Sequence, residues 1–181
     1  MEMAKKIRKT SVTMVYKAHA SHIGGALSMA DILAVLYSDI LIYDKSNPKW
    51  EKRDRCLLSK GHACASFYAV LAHAGFFPID ELDSYAQNGS SFLCHTTHHV
   101  PGVEISAGSL GHGFPIACGI ALSAKIKKEN FNTYVILGDG EMDEGSNWEA
   151  LLFGAHHNLS NLCVIIAVSY THLRAHETSQ D

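Results

Sequence analysis

Apolar positions recur along this chain in two rhythms. Between Lys5 and His19, Ile7, Val12, Val15 and Tyr16 fall on or near one face of a helical wheel. Between Met29 and Ile42, the residues Ile32, Leu33, Leu36 and Ile40 repeat at helical spacing, with Ser28 in place to cap that helix. Three short unbroken apolar runs, Cys56–Leu58, Tyr134–Leu137 and 161–167, read instead as strands buried on both faces. Gly61 and His62 turn the chain out of the first run into a helix that lasts to about Ala74, and a helix over 146–157 joins the other two. Gly108–Lys128 reads as one small-residue helix, in which Gly111, Gly113, Ala117, Gly119 and Ala121 permit close packing. Residues 22–25, His-Ile-Gly-Gly, are a glycine-rich break, and 76–103 is polar and turn-rich. Strands alternating with helices predict an α/β fold, a parallel sheet sandwiched between helices.

Composition narrows the classes. A chain of 181 residues has the length of one domain and can bury a sizeable core. Its content of 47% hydrophobic and 18% charged residues is that of a globular protein. A net charge of −3 argues against nucleic acid as a partner, and the local basic group Lys5, Lys6, Arg8 and Lys9 reads as a solvated helix surface. The amino terminus has charges but no apolar stretch after them, so it does not read as a secretory signal. No apolar run approaches the ~20 residues that span a bilayer, which argues against a membrane protein. Five cysteines without Cys-x-x-Cys spacing fit reduced, mostly buried thiols in a cytoplasmic protein.

The strongest chemical signal lies at Thr133–Gly145, TYVILGDGEMDEG. An apolar strand breaks at Gly138-Asp139-Gly140, and the acids Glu141, Asp143 and Glu144 follow before a helix starts. Glycine lets a ligand approach the main chain. Ligands of parallel α/β sheets bind beyond the carboxyl ends of strands, and helix N-termini attract anions. Mg²⁺ combines one or two carboxylates with phosphate oxygens. Asp139 thus reads as a residue that holds a metal against a diphosphate. Asp-Gly is also a hairpin signal, which is the competing reading.

Histidine is over-represented, with 12 in the chain. His22, His62 and His112 each lie beside glycines at an expected element start, which suits phosphate binding or proton transfer. His95, His98 and His99 cluster in sequence and raise a zinc or copper site as an alternative, although no cysteine or carboxylate stands at matching spacing. His73 reads as structural, and His156 and His157 as partners of a helix C-terminus.

These blocks, in this order, resemble the amino-terminal, thiamine diphosphate-binding subunit of the transketolase family. His22-Ile23-Gly24-Gly25 with Ser28 and Ala30-Asp31-Ile32-Leu33 is similar to the family's first motif. Arg53-Asp54-Arg55 and Leu58–Ala63 resemble the second, and His95, Pro101–Glu104 and Gly108–Gly113 the third. Gly138–Glu141, Glu144-Gly145 and Trp148-Glu149-Ala150 resemble the cofactor fingerprint. The resemblance covers about Lys5 to Ile166. It implies a thiamine diphosphate-binding (PP-type) fold that transfers a two-carbon ketol unit between sugar phosphates, as in the pentose phosphate pathway. Asp139 would bind Mg²⁺ or Ca²⁺ bridging the cofactor diphosphate, with Gly138 and Gly140 beside it. His62 would contact the diphosphate, and Gly108 and Leu110 would line the aminopyrimidine. His22 and His95 would face the sugar as proton-transfer residues, and Glu144 would lie at a subunit interface. His112 stands where the family commonly has Gln. The glutamate that activates the cofactor comes from a pyrimidine-binding half not recognisable here. The resemblance therefore implies a separate carboxy-terminal subunit, in a dimer of heterodimers. A deoxyxylulose-phosphate synthase-like enzyme of the same cofactor class, and a metal-dependent phosphohydrolase using Asp139, Asp143 and Glu144, are the alternative readings. A non-catalytic interaction protein is a third.

The end of the chain departs from the family. Where an Asp-x-Asn would supply a second metal ligand, this sequence has Ala167, Val168 and Ser169. The segment Ser169–Asp181 has no apolar period and resembles translated sequencing-adapter DNA, so the expected organisation is a partial domain over 1–168 followed by a non-native tail over 169–181. Such a chain is expected to bind the cofactor poorly and to be inactive alone.

Overall fold

The computed structural model describes residues 2–168; the expectation about the tail over 169–181 lies outside them. Three strands, β1 (Arg55–Leu58), β2 (Thr133–Gly138) and β3 (Leu162–Ala167), form a parallel sheet in the order β1-β2-β3. Leu58 stands opposite Ile136, Ile136 opposite Ile165, and Gly138 opposite Ala167. All three strands therefore point their carboxyl ends the same way. The alternation of side chains splits the interior into two cores. Cys56, Leu58, Ile136 and Ala167 join one, while Leu57, Val135 and Leu137 join the other.

The first core is closed by α1 (Glu2–Ala18), the short α2 (Ile23–Leu27), α3 (Ala30–Val35) and α4 (Cys64–Ala74). Every residue of α4 from Cys64 to Ala72 is buried, as expected of a helix that is apolar all round. Phe67 and Leu71 have no exposed surface; burial of each contributes about 1.5–3 kcal/mol. The second core lies under α5 (Gly113–Lys127) and α6 (Gly145–His156), where Phe114, Ala117, Ala121 and Ala150 meet the sheet. A parallel sheet between helices is what the alternation of runs predicted.

Several local expectations are corrected. The buried face of α1 is Ala4, Ile7, Ser11, Met14 and Val15, while Val12 and Tyr16 are exposed. Ser11 joins that face because its hydroxyl donates to the Ile7 carbonyl, so the polar group is satisfied inside the helix. Ser28 does not cap the helix after it; its hydroxyl donates to the Gly25 carbonyl at 2.8 Å. The glycine-rich break contains the helix α2, and α3 passes into a π-helical turn over Leu36–Ile40. The helix expected from Gly108 begins at Gly113, with 108–112 as a loop before it. Gly113 does sit in close contact with Ser59, but nothing approaches Gly119.

On the outer side the apolar surface continues. Trp148, Leu151, Leu152 and Phe153 of α6 are exposed, as is Ile166 of β3. A cavity of about 420 Å³ runs between α6 and β3, lined by Phe114, Leu151, Ala155, Leu162 and Val164. No helix among the described residues is long and apolar enough to cross a membrane.

Candidate functional site at the carboxyl ends of the strands

Gly138 is the last residue of β2, and the other expected site residues lie beyond a strand or in loops that fold back over the strand ends. After β1, Ser59 and Lys60 lead into a 3-10 turn, Gly61–Ala63, that presents His62. After β2, a second 3-10 turn, Asp139–Asp143, replaces the hairpin that Asp-Gly could have made, and α6 follows at Gly145. Asp139 and Gly140 are half-buried on that turn, and Glu144 is half-buried at its end.

Three histidines from three distant segments come together. The His22 ring lies 5.5 Å from that of His62 and 5.8 Å from that of His95, centroid to centroid. His22 sits before α2 with a left-handed backbone, φ 68°. The main chain brings His95 in: a bridge pairs Thr96 with Ala107, and the Tyr68 hydroxyl donates to the His95 carbonyl at 2.8 Å. Two glycines make room. A Cβ on Gly25 would touch His62 at 3.4 Å, and one on Gly108 would touch His95 at 3.6 Å. Burial pushes the His62 pKa down to about 4, helped by Lys60, His22 and His95. His95 is lowered by burial and then by His22. Both imidazoles are thus neutral near pH 7, able to donate one hydrogen bond and accept another. An anion bound beside them would reverse the shift.

Sequence reasoning gave no role to two buried charged residues at this rim. Lys60 is 1% exposed, and among the described residues its Nζ reaches the neutral acceptors Ala167 O at 3.3 Å and Ser28 Oγ at 3.5 Å. Burial lowers its pKa, while Asp139 and Glu141 oppose that effect. Glu141 is also 1% exposed and accepts from Ser59 Oγ at 2.7 Å and from Gly138 N at 2.9 Å. The available signal was a charged residue within three positions of the end of an apolar strand and next to a glycine, Gly61 for Lys60 and Gly140 for Glu141.

The loop before α5 closes the rim. Leu110 is half-buried, and Gly108 and His112 are exposed. Gly111 donates to Glu141 Oε1 at 3.2 Å and accepts from Ser146 Oγ at 2.7 Å, next to Glu144. The alternative metal cluster is not assembled: His98 stacks on His99 and bonds Ser106, apart from the His22–His95 pair. Among the described residues no three His, Cys, Asp or Glu side chains gather as a metal site, Asp139, Asp143 and Glu144 included. His73 bonds Thr10 at 2.9 Å, a structural role.

A half-buried carboxylate beside a buried lysine and neutral histidines, all at the strand ends of a parallel sheet, defines an α/β domain built to receive an anionic cofactor. The family profile described as "Transketolase, thiamine diphosphate binding domain" matches residues 1–170, and the chain belongs to that family. It is 44% identical over 163 residues to one of the subunits of the apulose-4-phosphate transketolase of Phocaeicola vulgatus, covering 90% of this chain and 58% of that protein. It is 40% identical over 160 residues to a 6-deoxy-6-sulfo-D-fructose transketolase subunit of a Clostridium species, covering 88% and 58%. Among solved structures, the transketolase of Campylobacter jejuni superposes with a TM-score of 0.86 at 35% identity, covering 91% of this chain and 27% of that one. The chain thus spans 58% of the length of these two relatives.

Proposed function

We propose that the chain is the thiamine diphosphate-binding half of a split transketolase, which moves a two-carbon ketol unit from a ketose phosphate to an aldose phosphate. The observation that carries this reading is the convergence of His22, His62 and His95 at the same strand ends as Asp139. When bound, the cofactor supplies an electron sink for cleavage of the bond next to the ketose carbonyl. The residues of this chain would bind, orient and exchange protons around it. His62 and Lys60 face the diphosphate, with the backbone of Gly138 and Gly140 leaving space for it. Among the described residues Asp139 belongs to no group of three or more potential metal ligands. That fits Mg²⁺ or Ca²⁺ shared with diphosphate oxygens rather than a site closed by protein. Gly108 and Leu110 line the aminopyrimidine side. Neutral His95 and nearby His22 hand protons to and from sugar oxygens. Glu144, at the mouth of α6, faces a partner subunit.

The partner is a carboxy-terminal, pyrimidine-binding subunit, arranged as a dimer of heterodimers. Two relatives named as transketolase subunits support this reading, as does the exposed apolar surface of α6. Residues 1–168 form part of a PP-type domain. Five free thiols agree with a cytoplasmic setting.

The test is ketol transfer by this chain combined with the pyrimidine-binding subunit from an adjoining reading frame. Ketose phosphates and sulfonated ketoses are both offered as donors. Product is expected only with both subunits, thiamine diphosphate and Mg²⁺, and Asp139→Ala removes about 100-fold or more of the rate. Metal-dependent phosphatase activity that ignores thiamine diphosphate would overturn the reading.

A further inference from the structure

We propose that Glu141 is a positioning residue of this site, a buried carboxylate that fixes the three cofactor-facing loops against one another; the proposal rests on the cofactor reading above. Glu141 Oε1 accepts the Ser59 hydroxyl at 2.7 Å and the Gly111 N–H at 3.2 Å, and Oε2 accepts the Gly138 N–H at 2.9 Å. Its own carbonyl accepts Asn147 Nδ2 at 2.6 Å. Capping the turn after β2 needs only the Gly138 bond. The other two reach segments 82 and 30 residues away in sequence. One of those segments carries His62, and the other carries Leu110 and His112. The turn itself carries Asp139.

The arrangement leaves little slack. Gly113 packs so closely on Ser59 that a Cβ there would lie 2.5 Å from the Ser59 Cβ. Three of roughly four lone-pair positions of the carboxylate are filled by protein hydrogens. Such charge-assisted bonds are about twice as strong as neutral ones. Removing the acceptor character of one oxygen therefore frees the loops that carry the histidine, the glycine-rich segment and the aspartate together.

The experiment uses the full chain and the variants Glu141→Gln and Ser59→Ala, in a Trp50→Phe background. Trp148 then reports alone; its indole donates to the Met142 carbonyl at 2.7 Å on the same turn. Glutamine keeps the size of the side chain but turns one acceptor into a donor. Amide hydrogen exchange at Gly138 and Gly111 is expected to rise about tenfold or more, while Val135–Leu137 stay protected. Thiamine diphosphate with Mg²⁺, followed by Trp148 fluorescence, should bind about 10–100-fold more weakly. Ser59→Ala, which removes one donor, should shift both readouts less and in the same direction, and it decides the matter if Glu141→Gln does not fold. Unchanged exchange at both glycines overturns the proposal. So does faster exchange with cofactor affinity equal to that of the unsubstituted chain, because the carboxylate would then serve stability alone. The unsubstituted chain is expected to bind weakly, so the titration runs to millimolar thiamine diphosphate; if it takes up no cofactor even there while the glycine amides respond, it is the cofactor reading that fails.

Discussion

Gly61→Ala tests how the site is assembled, because the substitution adds one methyl group at the seam between two loops. A Cβ on Gly61 would stand 2.1 Å from the Ala107 carbonyl oxygen and 2.5 Å from its carbonyl carbon. Comfortable contact between heavy atoms lies near 3.5 Å, so the two backbones must part by about 1.4 Å. Neither side yields easily. Ala107 N donates to both the carbonyl and the hydroxyl of Thr96, and Gly61 N donates to the Ser59 carbonyl at 2.8 Å. Overpacking costs about 1–3 kcal/mol, and an anchored backbone obstacle places this case near ~3 kcal/mol, or about 6–12 °C in Tm for a chain of this size. The displacement separates His62 from the Thr96–Ala107 bridge beside His95, and a 1 Å misplacement costs about 100-fold in rate. Thermal unfolding and the imidazole proton resonances measure the two effects. Gly119→Ala is the control: no described residue outside its own helix lies within 4 Å of a Cβ at that position on α5, so it should stabilise by about 0.5–1 kcal/mol through helix propensity. A Gly61→Ala protein that melts with the unsubstituted one, with unmoved histidine resonances, refutes the packing argument.

Two further outcomes follow from buried groups. Arg53 and Glu104, whose side chains are 13% and 12% exposed, form a bidentate pair, and Arg53 Nε also donates to the Pro48 carbonyl. Arg53→Ala leaves the Glu104 charge buried and should cost about 3–5 kcal/mol in urea unfolding; a loss below about 1 kcal/mol, as for an exposed pair, would contradict it. His62, with its pKa pushed down to about 4, binds a proton later in the folded chain than in the unfolded one. Its contribution to stability is therefore complete above about pH 6.5, and falls away as the pH drops toward 4. His95 and His73 act in the same direction. Denaturation at stepped pH should show a shallower decline for His62→Gln, and equal slopes would remove His62 as a cause.

The sheet was legible because Leu57, Leu58 and Val135–Leu137 form unbroken apolar runs, the mark of strands covered on both faces. The helix faces were less so: at 3.6 residues per turn Val12 and Tyr16 lie about 140° and about 180° from Ile7, so the sector read for α1 was too wide, and its buried face is Ala4, Ile7, Ser11, Met14 and Val15. The loop over 108–112 read as helix because it runs straight into the small-residue stretch that forms α5. What decided it was Gly111, whose φ of +77° and contacts to Ser146 and Glu144 belong to a partner distant in sequence. His22, His62, His95 and Asp139 were expected as site residues through the family resemblance, and the fold brings the three rings together. Lys60 and Glu141 were invisible as a site because their importance lies in burial, which one sequence does not display.

The backbone at His22, φ 68° and ψ 19°, constrains what can replace it. Side chains branched at Cβ are excluded there on steric grounds, whereas Asn and Gly tolerate that region. A library randomised at this codon would therefore be sieved twice, first by the turn for folding and then by the chemistry for turnover. Asn should pass the first sieve and fail the second, so soluble but inactive clones at position 22 would separate the two demands on a single residue.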